Sequence, residues 1–401
     1  MARRWLIIVF SAAAMVSISL GIRQSMGLFL APVSEALMTG RELFSFAIAL
    51  QNLLWGLSSP VFGALGDRFG GWRIACLGGL LYAAGLLVMA YQVSTSGAIF
   101  GQFLIGLGLG SAGMSIALGA VSRAVPDQHR SLALGVVTSL GSFGQFALVP
   151  VTQLLISDAG WQMAAVCLSA VAATMIAIGY GLKLPRDMEG STAQVAEASL
   201  GATVKHAFGS RDYLLLVAGF FVCGLHLVFI TTHLPVFLRD NGVDDHIAGW
   251  ALSLVGLFNI IGALFFGWIG GVMPKRMPLA LIYLGRTVVI GLFIWLPVSG
   301  ASALVFGAAM GLLWLGTIPL TSGLIVTFFG PRYLATLYGF VFVSHQLGSF
   351  VGAWLGGRFY DMFGNYDLMW GINLAAGLVA FGLHVAIREK PQPMQPAVGI
   401  S

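Results

Sequence analysis

The chain has 401 residues, of which 58% are hydrophobic and 9% charged, with 20 Lys and Arg against 15 Asp and Glu and a mean hydropathy of +0.91. A soluble globular chain is usually ~25% charged, so the composition excludes one and implies a polytopic membrane protein. The formal net charge of +5 does not point to nucleic acid, because the basic residues stand at the ends of apolar runs, where anionic lipid explains them.

Apolar runs long enough to cross a bilayer as helices occupy the windows 5–30, 43–64, 73–92, 97–120, 132–156, 161–182, 213–238, 247–270, 278–298, 301–328, 334–357 and 368–387. The alternating ten-residue segments of a membrane barrel are absent, so the predicted class is an all-α membrane protein with twelve transmembrane helices. The opening Met1-Ala2-Arg3-Arg4 and the apolar run behind it imitate a secretory signal. That run continues past Gly21 to Leu37 with no convincing cleavage site, so it reads as the first helix. Cys76, Cys167 and Cys223 are scattered through the spans without metal-ligand spacing, so no disulfide, metal or cofactor is expected.

Orientation follows from the basic residues. With the N-terminus inside, the inner segments hold Arg3, Arg4, Arg68, Arg73, Arg123, Arg130, Lys183, Arg186, Lys205, Arg211, Lys275, Arg276, Arg332, Arg388 and Lys390, against Arg41, Arg239 and Arg358 outside. The bias predicts that both termini are cytoplasmic, in a plasma or bacterial inner membrane. Only Arg23 and Arg286 fall within helices.

One long polar stretch divides the chain into an N-terminal half, 1–183, a cytoplasmic linker, 184–210, a C-terminal half, 211–390, and a cytoplasmic tail, 391–401. The halves repeat weakly. Pro32 matches Pro235 at an offset of 203, while Gly63, Gly66, Gly135 and Gly144 match Gly267, Gly270, Gly339 and Gly348 at 204. At 203, Arg23 falls on His226. Parallel repeats of this kind are a recurring transporter design.

The loop Gly63-Ala64-Leu65-Gly66-Asp67-Arg68-Phe69-Gly70-Gly71-Trp72-Arg73, between spans two and three, resembles the signature loop of the major facilitator superfamily. The resemblance implies two pseudo-symmetric six-helix halves that act as a monomer. It makes Gly63, Asp67, Arg68 and Arg73 an inner-side conformational latch, and implies that spans one, four, seven and ten line a central cavity while three, six, nine and twelve are peripheral. A second stretch, from Gly356-Gly357-Arg358 through Tyr360-Asp361 to Gly364-Asn365-Tyr366-Asp367, is similar to the span-eleven ending of monocarboxylate porters and oxalate/formate antiporters. Two departures limit that similarity. Ala263 stands where those porters commonly carry a substrate-binding Arg in span eight, and Gln102 replaces the superfamily's early span-four Arg.

Candidate substrate contacts are therefore read from polar residues within the spans: Arg23 and Gln24, Gln102, His226 and His233, Trp314, Thr317 and Thr321, and His345. A charge at bilayer depth is costly, which makes Arg23 the leading candidate. Each has a structural alternative. Arg23 could bond backbone carbonyls or snorkel outward, His226 could be a satisfied packing residue, and Gln51-Asn52 and His345-Gln346 could be helix-to-helix hydrogen bonds. Arg286, in a peripheral span, reads as structural.

All 15 acids lie in loops or at span ends, leaving Arg23 with no obvious internal partner and the cavity suited to an anion. The expected function is secondary active transport of a small organic anion, monocarboxylate-like, whose carboxylate pairs with Arg23 by alternating access. Protons, carried by His226, His233, His345 or the substrate's own carboxyl, are the expected co-ion where symport occurs. The alternative is a polyspecific exporter of amphipathic or neutral compounds, favoured by Trp314 and an aromatic content of 12%. No Ser/His/Asp set, metal cluster or carboxylate pair suggests an enzyme.

Overall fold

Backbone polar groups find no water in hydrocarbon, so an apolar run of spanning length closes its hydrogen bonds within itself as a helix. The computed structural model describes residues 2–183, 200–330 and 334–391, and the described residues form helices without strands. Eleven helices are long and apolar enough to cross a membrane. One of them, Leu132–Tyr180, has 49 residues and is interrupted by Gly160 at φ +83°, a conformation that glycine adopts freely and other residues resist. It therefore comprises two spans, five (132–159) and six (161–180), which brings the described total to the expected twelve. The others are one (Trp5–Ala36), two (Arg41–Gly66), three (Gly71–Tyr91), four (Thr95–Ala124), seven (Arg211–Asp240), eight (Asp245–Val272), nine (Arg276–Trp295), ten (Gly300–Phe329), eleven (Leu334–Phe363) and twelve (Asp367–Val385).

Three of the four spans expected to line the cavity are broken. Span one passes through a 3-10 turn at Met26–Phe29, span four breaks at Gly113 and span ten between Leu312 and Thr317. Span seven runs unbroken and is the most enclosed, with 72% of its apolar window buried against 33% for span twelve. Close backbone approach depends on glycine: any Cβ on Gly144 would strike span one at Ser17, and any Cβ on Gly348 would strike span seven at Phe221.

Within the expected linker, 184–199 lies outside the described residues, as does the tail beyond Pro391. The linker's end, helix Leu200–Gly209, docks on the C-terminal half through His206 on Phe329 (5.9 Å) and Phe208 on Phe340 (5.3 Å).

The halves meet where span two crosses eleven and five crosses eight, and they meet asymmetrically. On the face opposite the chain ends, Asp361 accepts from the backbone N–H groups of Arg41 and Glu42 (both 2.8 Å), so a carboxylate of one half caps a helix of the other. The Arg41 guanidinium donates twice to Asp240 (2.6 and 2.7 Å) and lies over the Tyr360 ring (3.7 Å). Glu42 accepts from Arg358 and Trp354, and Arg239 pairs with Glu35. Towards the basic face the same helices carry glycines that are not closely packed. A Cβ added to Gly63, Gly135 or Gly339 would meet nothing within 4 Å. Polar contacts between the halves are thus concentrated on the face opposite the chain ends.

Candidate functional site

Arg23 leaves span one half-buried at mid-depth and turns toward span two. Its Nε and Nη2 both donate to Asn52 Oδ1 (3.1 and 2.7 Å), and its guanidinium lies over the Trp55 ring, 5.0 Å from the centroid. Arg23 thus has an internal partner after all, a neutral amide and an aromatic face. Two groups of donors fork onto one amide oxygen, which leaves the positive charge without a counter-ion among the described residues. Asn52 holds its own position by donating to the Ile48 carbonyl (2.8 Å).

Trp55 joins the halves. It meets Phe342 of span eleven edge to face at 5.3 Å, and Phe342 stacks on His345 at 5.8 Å. About two turns along from Trp55, at Gly63, and about one turn from Phe342, at Gly339, an added Cβ would meet nothing within 4 Å. At the other crossing, Asn259 donates to Ser142 (2.8 Å) and accepts from the Leu315 N–H at the break of span ten (2.9 Å). Trp55, Phe342 and Asn259 therefore lie at the contacts between the halves, with Arg23 beside them.

The remaining expected contacts divide by the direction they face. Gln24 is fully buried with neither amide atom partnered, and Gln102 donates only to the Met26 and Met89 sulfurs, its carbonyl oxygen unpartnered. Gln51 and Gln346 are likewise buried and unpartnered. Buried amides without partners are uncommon, and these are free to take up polar groups at mid-depth. His226 turns away from the other half, donating from Nε2 to the Asn373 carbonyl of span twelve (2.8 Å). His233 is held at both nitrogens: Nε2 donates to the Ala353 carbonyl (2.8 Å), so Nδ1 is the acceptor for the Tyr366 hydroxyl (3.1 Å). Arg41 in turn donates to Tyr366 (3.1 Å), whose phenol is held above its ordinary pKa range mainly by burial. His233 thus belongs to the face opposite the chain ends.

Trp314 is 2% exposed, Thr317 packs 3.6 Å from the Cys223 sulfur, and Thr321 is buried with its hydroxyl unpartnered. His345, 8% exposed, approaches Ser349 through Nδ1 (3.4 Å). Arg286 reaches inward to the break in span ten. It donates to the carbonyls of Leu313 (2.7 and 3.0 Å) and Trp314 (2.5 Å) and to Cys223 (3.4 Å). A helix C-terminus offers such unpaired carbonyls and a negative dipole end, which explains a fully buried guanidinium with no acid. In the expected latch, Arg68 lies over Phe69 and Arg73 donates to the Phe69 carbonyl, both within their own loop, and the Asp67 side chain lies outside what is described. The site residues passed over in sequence are Trp55 and Phe342. Neither carries a signal there, because one aromatic among 28 Phe and 10 Trp is marked only by what it touches. No group of three or more His, Cys, Asp or Glu among the described residues could hold a metal ion.

Twelve spans in two halves, with broken helices and a cation at mid-depth between them, define a solute transporter. The chain belongs to the major facilitator superfamily, whose family model matches residues 5–353 and 235–399. It is 28% identical to the uncharacterized MFS-type transporter YcxA of Bacillus subtilis, over 97% of this chain and 95% of that protein. It is 25% identical to monocarboxylate transporter 13 of Rattus norvegicus (96% and 88%) and 24% identical to human monocarboxylate transporter 11 (95% and 83%). The fold is similar to that of the Escherichia coli xylose transporter XylE in an inward-open conformation, with TM-score 0.74 at 12% identity over 96% of both chains.

Proposed function

We propose that the protein moves a small, monocarboxylate-like organic anion across the cytoplasmic membrane by alternating access, with the basic face inward and both termini cytoplasmic. One observation carries the reading: a guanidinium within span one, beside the contact between the halves, is matched only by a neutral amide and an indole face. A substrate carboxylate supplies the missing charge through charge-assisted hydrogen bonds. Loading then lowers the cost of enclosing Arg23 when the halves close around it, because a paired buried charge is tolerated where an unpaired one is not. The monocarboxylate transporters among the relatives agree with this class.

Alternating access here is a rocking of the halves about the two crossings. The face opposite the chain ends would open as Arg41 leaves Asp240, while the inner ends of spans two, five, eight and eleven come together. Gln24, Gln102 and Thr321 are among the unpartnered polar groups available to an occluded substrate, with Thr317 and Trp314 as wall. Gly63, Asp67, Arg68 and Arg73 would engage as an inner latch once that face closes. If protons move with the anion, His345 is the carrier that the geometry favours, since His226 and His233 are tied to carbonyls inside the C-terminal half. The test is uptake of short monocarboxylates into proteoliposomes. Replacing Arg23 with Gln should lower apparent affinity by about tenfold or more, the loss of a charged hydrogen bond, and unchanged affinity would sink the assignment.

A further inference from the structure

Of the two arginines within the spans, one is already satisfied. Arg286 uses its donors on Leu313, Trp314 and Cys223. Neither has an acid among the described residues, but Arg23 donates only to the side-chain oxygen of Asn52, so it is the within-span cation whose donors are not taken up by backbone carbonyls. No carboxylate within the described spans balances it, and a second negative charge on a substrate would find no cation there.

The surroundings of that charge are aromatic. Trp55 presents its ring face to the guanidinium, and its Nε1 lies 3.5 Å from where a Cβ on Gly113 would stand, at the break of span four. The indole N–H has no acceptor among the described residues, so it is a second donor in the neighbourhood of Arg23. Phe342 comes edge-on to Trp55 from the other half, and both rings are half-buried. A substrate whose carboxylate bonds Arg23 must lay the rest of its body against these two rings. Aromatic rings attract one another edge-to-face or offset-stacked beyond what buried area gives, and a saturated ring of equal size lacks that term.

We propose that the anion bears a single carboxylate on a flat aromatic body, and that Trp55 and Phe342 are the residues that select this body. The inference rests on the proposed role of Arg23 and adds the class of the substrate. Because Trp55 belongs to one half and Phe342 to the other and the two rings already touch edge to face, a substrate ring laid against both spans the contact between the halves, so selection and closure share the same contacts.

The test is equilibrium binding to the purified protein in lipid nanodiscs of four probes: benzoate, cyclohexanecarboxylate, propionate and the dicarboxylate terephthalate. Benzoate should bind tighter than propionate by about tenfold and tighter than cyclohexanecarboxylate by about threefold, with terephthalate weaker than either ring acid. Trp55→Leu and Phe342→Leu should each erase the preference for benzoate over cyclohexanecarboxylate, and Trp55→Phe should retain the preference. Arg23→Gln should weaken all three monocarboxylates together. A wild-type protein that binds propionate or cyclohexanecarboxylate as tightly as benzoate overturns the aromatic selection, one that binds terephthalate as tightly overturns the single carboxylate, and either result leaves the carboxylate reading standing. Carboxylate binding indifferent to Arg23→Gln, or no carboxylate binding by folded protein, overturns both. Should Trp55→Leu fail to fold, Phe342→Leu and Trp55→Phe decide the matter, and an undiminished benzoate preference in Phe342→Leu overturns the proposal.

Discussion

Arg23 and His226 occupy matching positions in the repeat, 203 residues apart, yet they face different ways. Arg23 points to Asn52 and Trp55 at the meeting of the halves, whereas His226 points to the Asn373 carbonyl within one half. Its Nε2–H is satisfied and the imidazole is fully buried, so it behaves as a helix-to-helix contact. Glutamine can offer the same donor. Replacing His226 with Gln should therefore leave uptake rate and its pH profile within about twofold of wild type. A shifted pH profile in proteoliposomes would return His226 to the transport pathway.

Span ten shows what an element adds to its residues. Its break between Leu312 and Thr317 leaves carbonyls at Leu313 and Trp314 that no following turn takes up. Arg286, reaching from span nine, bonds both. In the repeat, 286 minus 204 is 82, so the counterpart of Arg286 is Tyr82, whose hydroxyl bonds the Ser19 carbonyl of span one (3.0 Å). Each half thus steadies a broken cavity span from a neighbouring helix, once with a phenol and once with a guanidinium. A span expected to be peripheral can reach inward because its side chain is long. Removing the guanidinium strands two buried carbonyls, so Arg286→Gln should destabilise the protein by on the order of 3 kcal/mol, read as a fall in midpoint in thermal unfolding. Binding of substrate by the folded fraction should survive; a variant as stable as wild type would show the carbonyls find other partners.

At the scale of the whole molecule, the two faces differ in what holds them. The face opposite the chain ends relies on a network across the halves, Arg41 with Asp240 and Tyr366, Asp361 on the start of span two, Arg358 with Glu42. Several of these groups are partly exposed, so each pair contributes little by itself and the network acts together. Arg41 is its centre, since its backbone and side chain both engage the other half. Arg41→Ala should shift the population toward opening on this face. A cysteine placed at Gln153, which lines the crevice there with Pro32 and Pro235, should then react faster with a membrane-impermeant maleimide added from outside. Equal reactivity with and without Arg41 would remove it from the gate.

Much of this was legible in the chain. Spanning length and charge bias are local quantities, so the bilayer, the count of spans, the division into halves and the lack of acids at mid-depth could all be read from residue order. The merged helix across Gly160 did not disturb that count, because a glycine marks the turn that separates the two apolar runs. The direction of each polar side chain was not legible. Successive helical residues are rotated by about 100°, so the same apolar run presents a given residue to lipid, to its own half or to the other half according to how the helix is turned. That turn is fixed by packing: glycines that let span one approach five and seven approach eleven, and the crossing that carries Trp55 onto Phe342. The sequence by itself determined that two cations, Arg23 and Arg286, stand within the spans with no acid at that depth to balance them. Only the tertiary structure decided that Arg23 meets Asn52 and the Trp55 ring beside the other half while Arg286 closes a broken helix, because burial of a charge is a property of its neighbours.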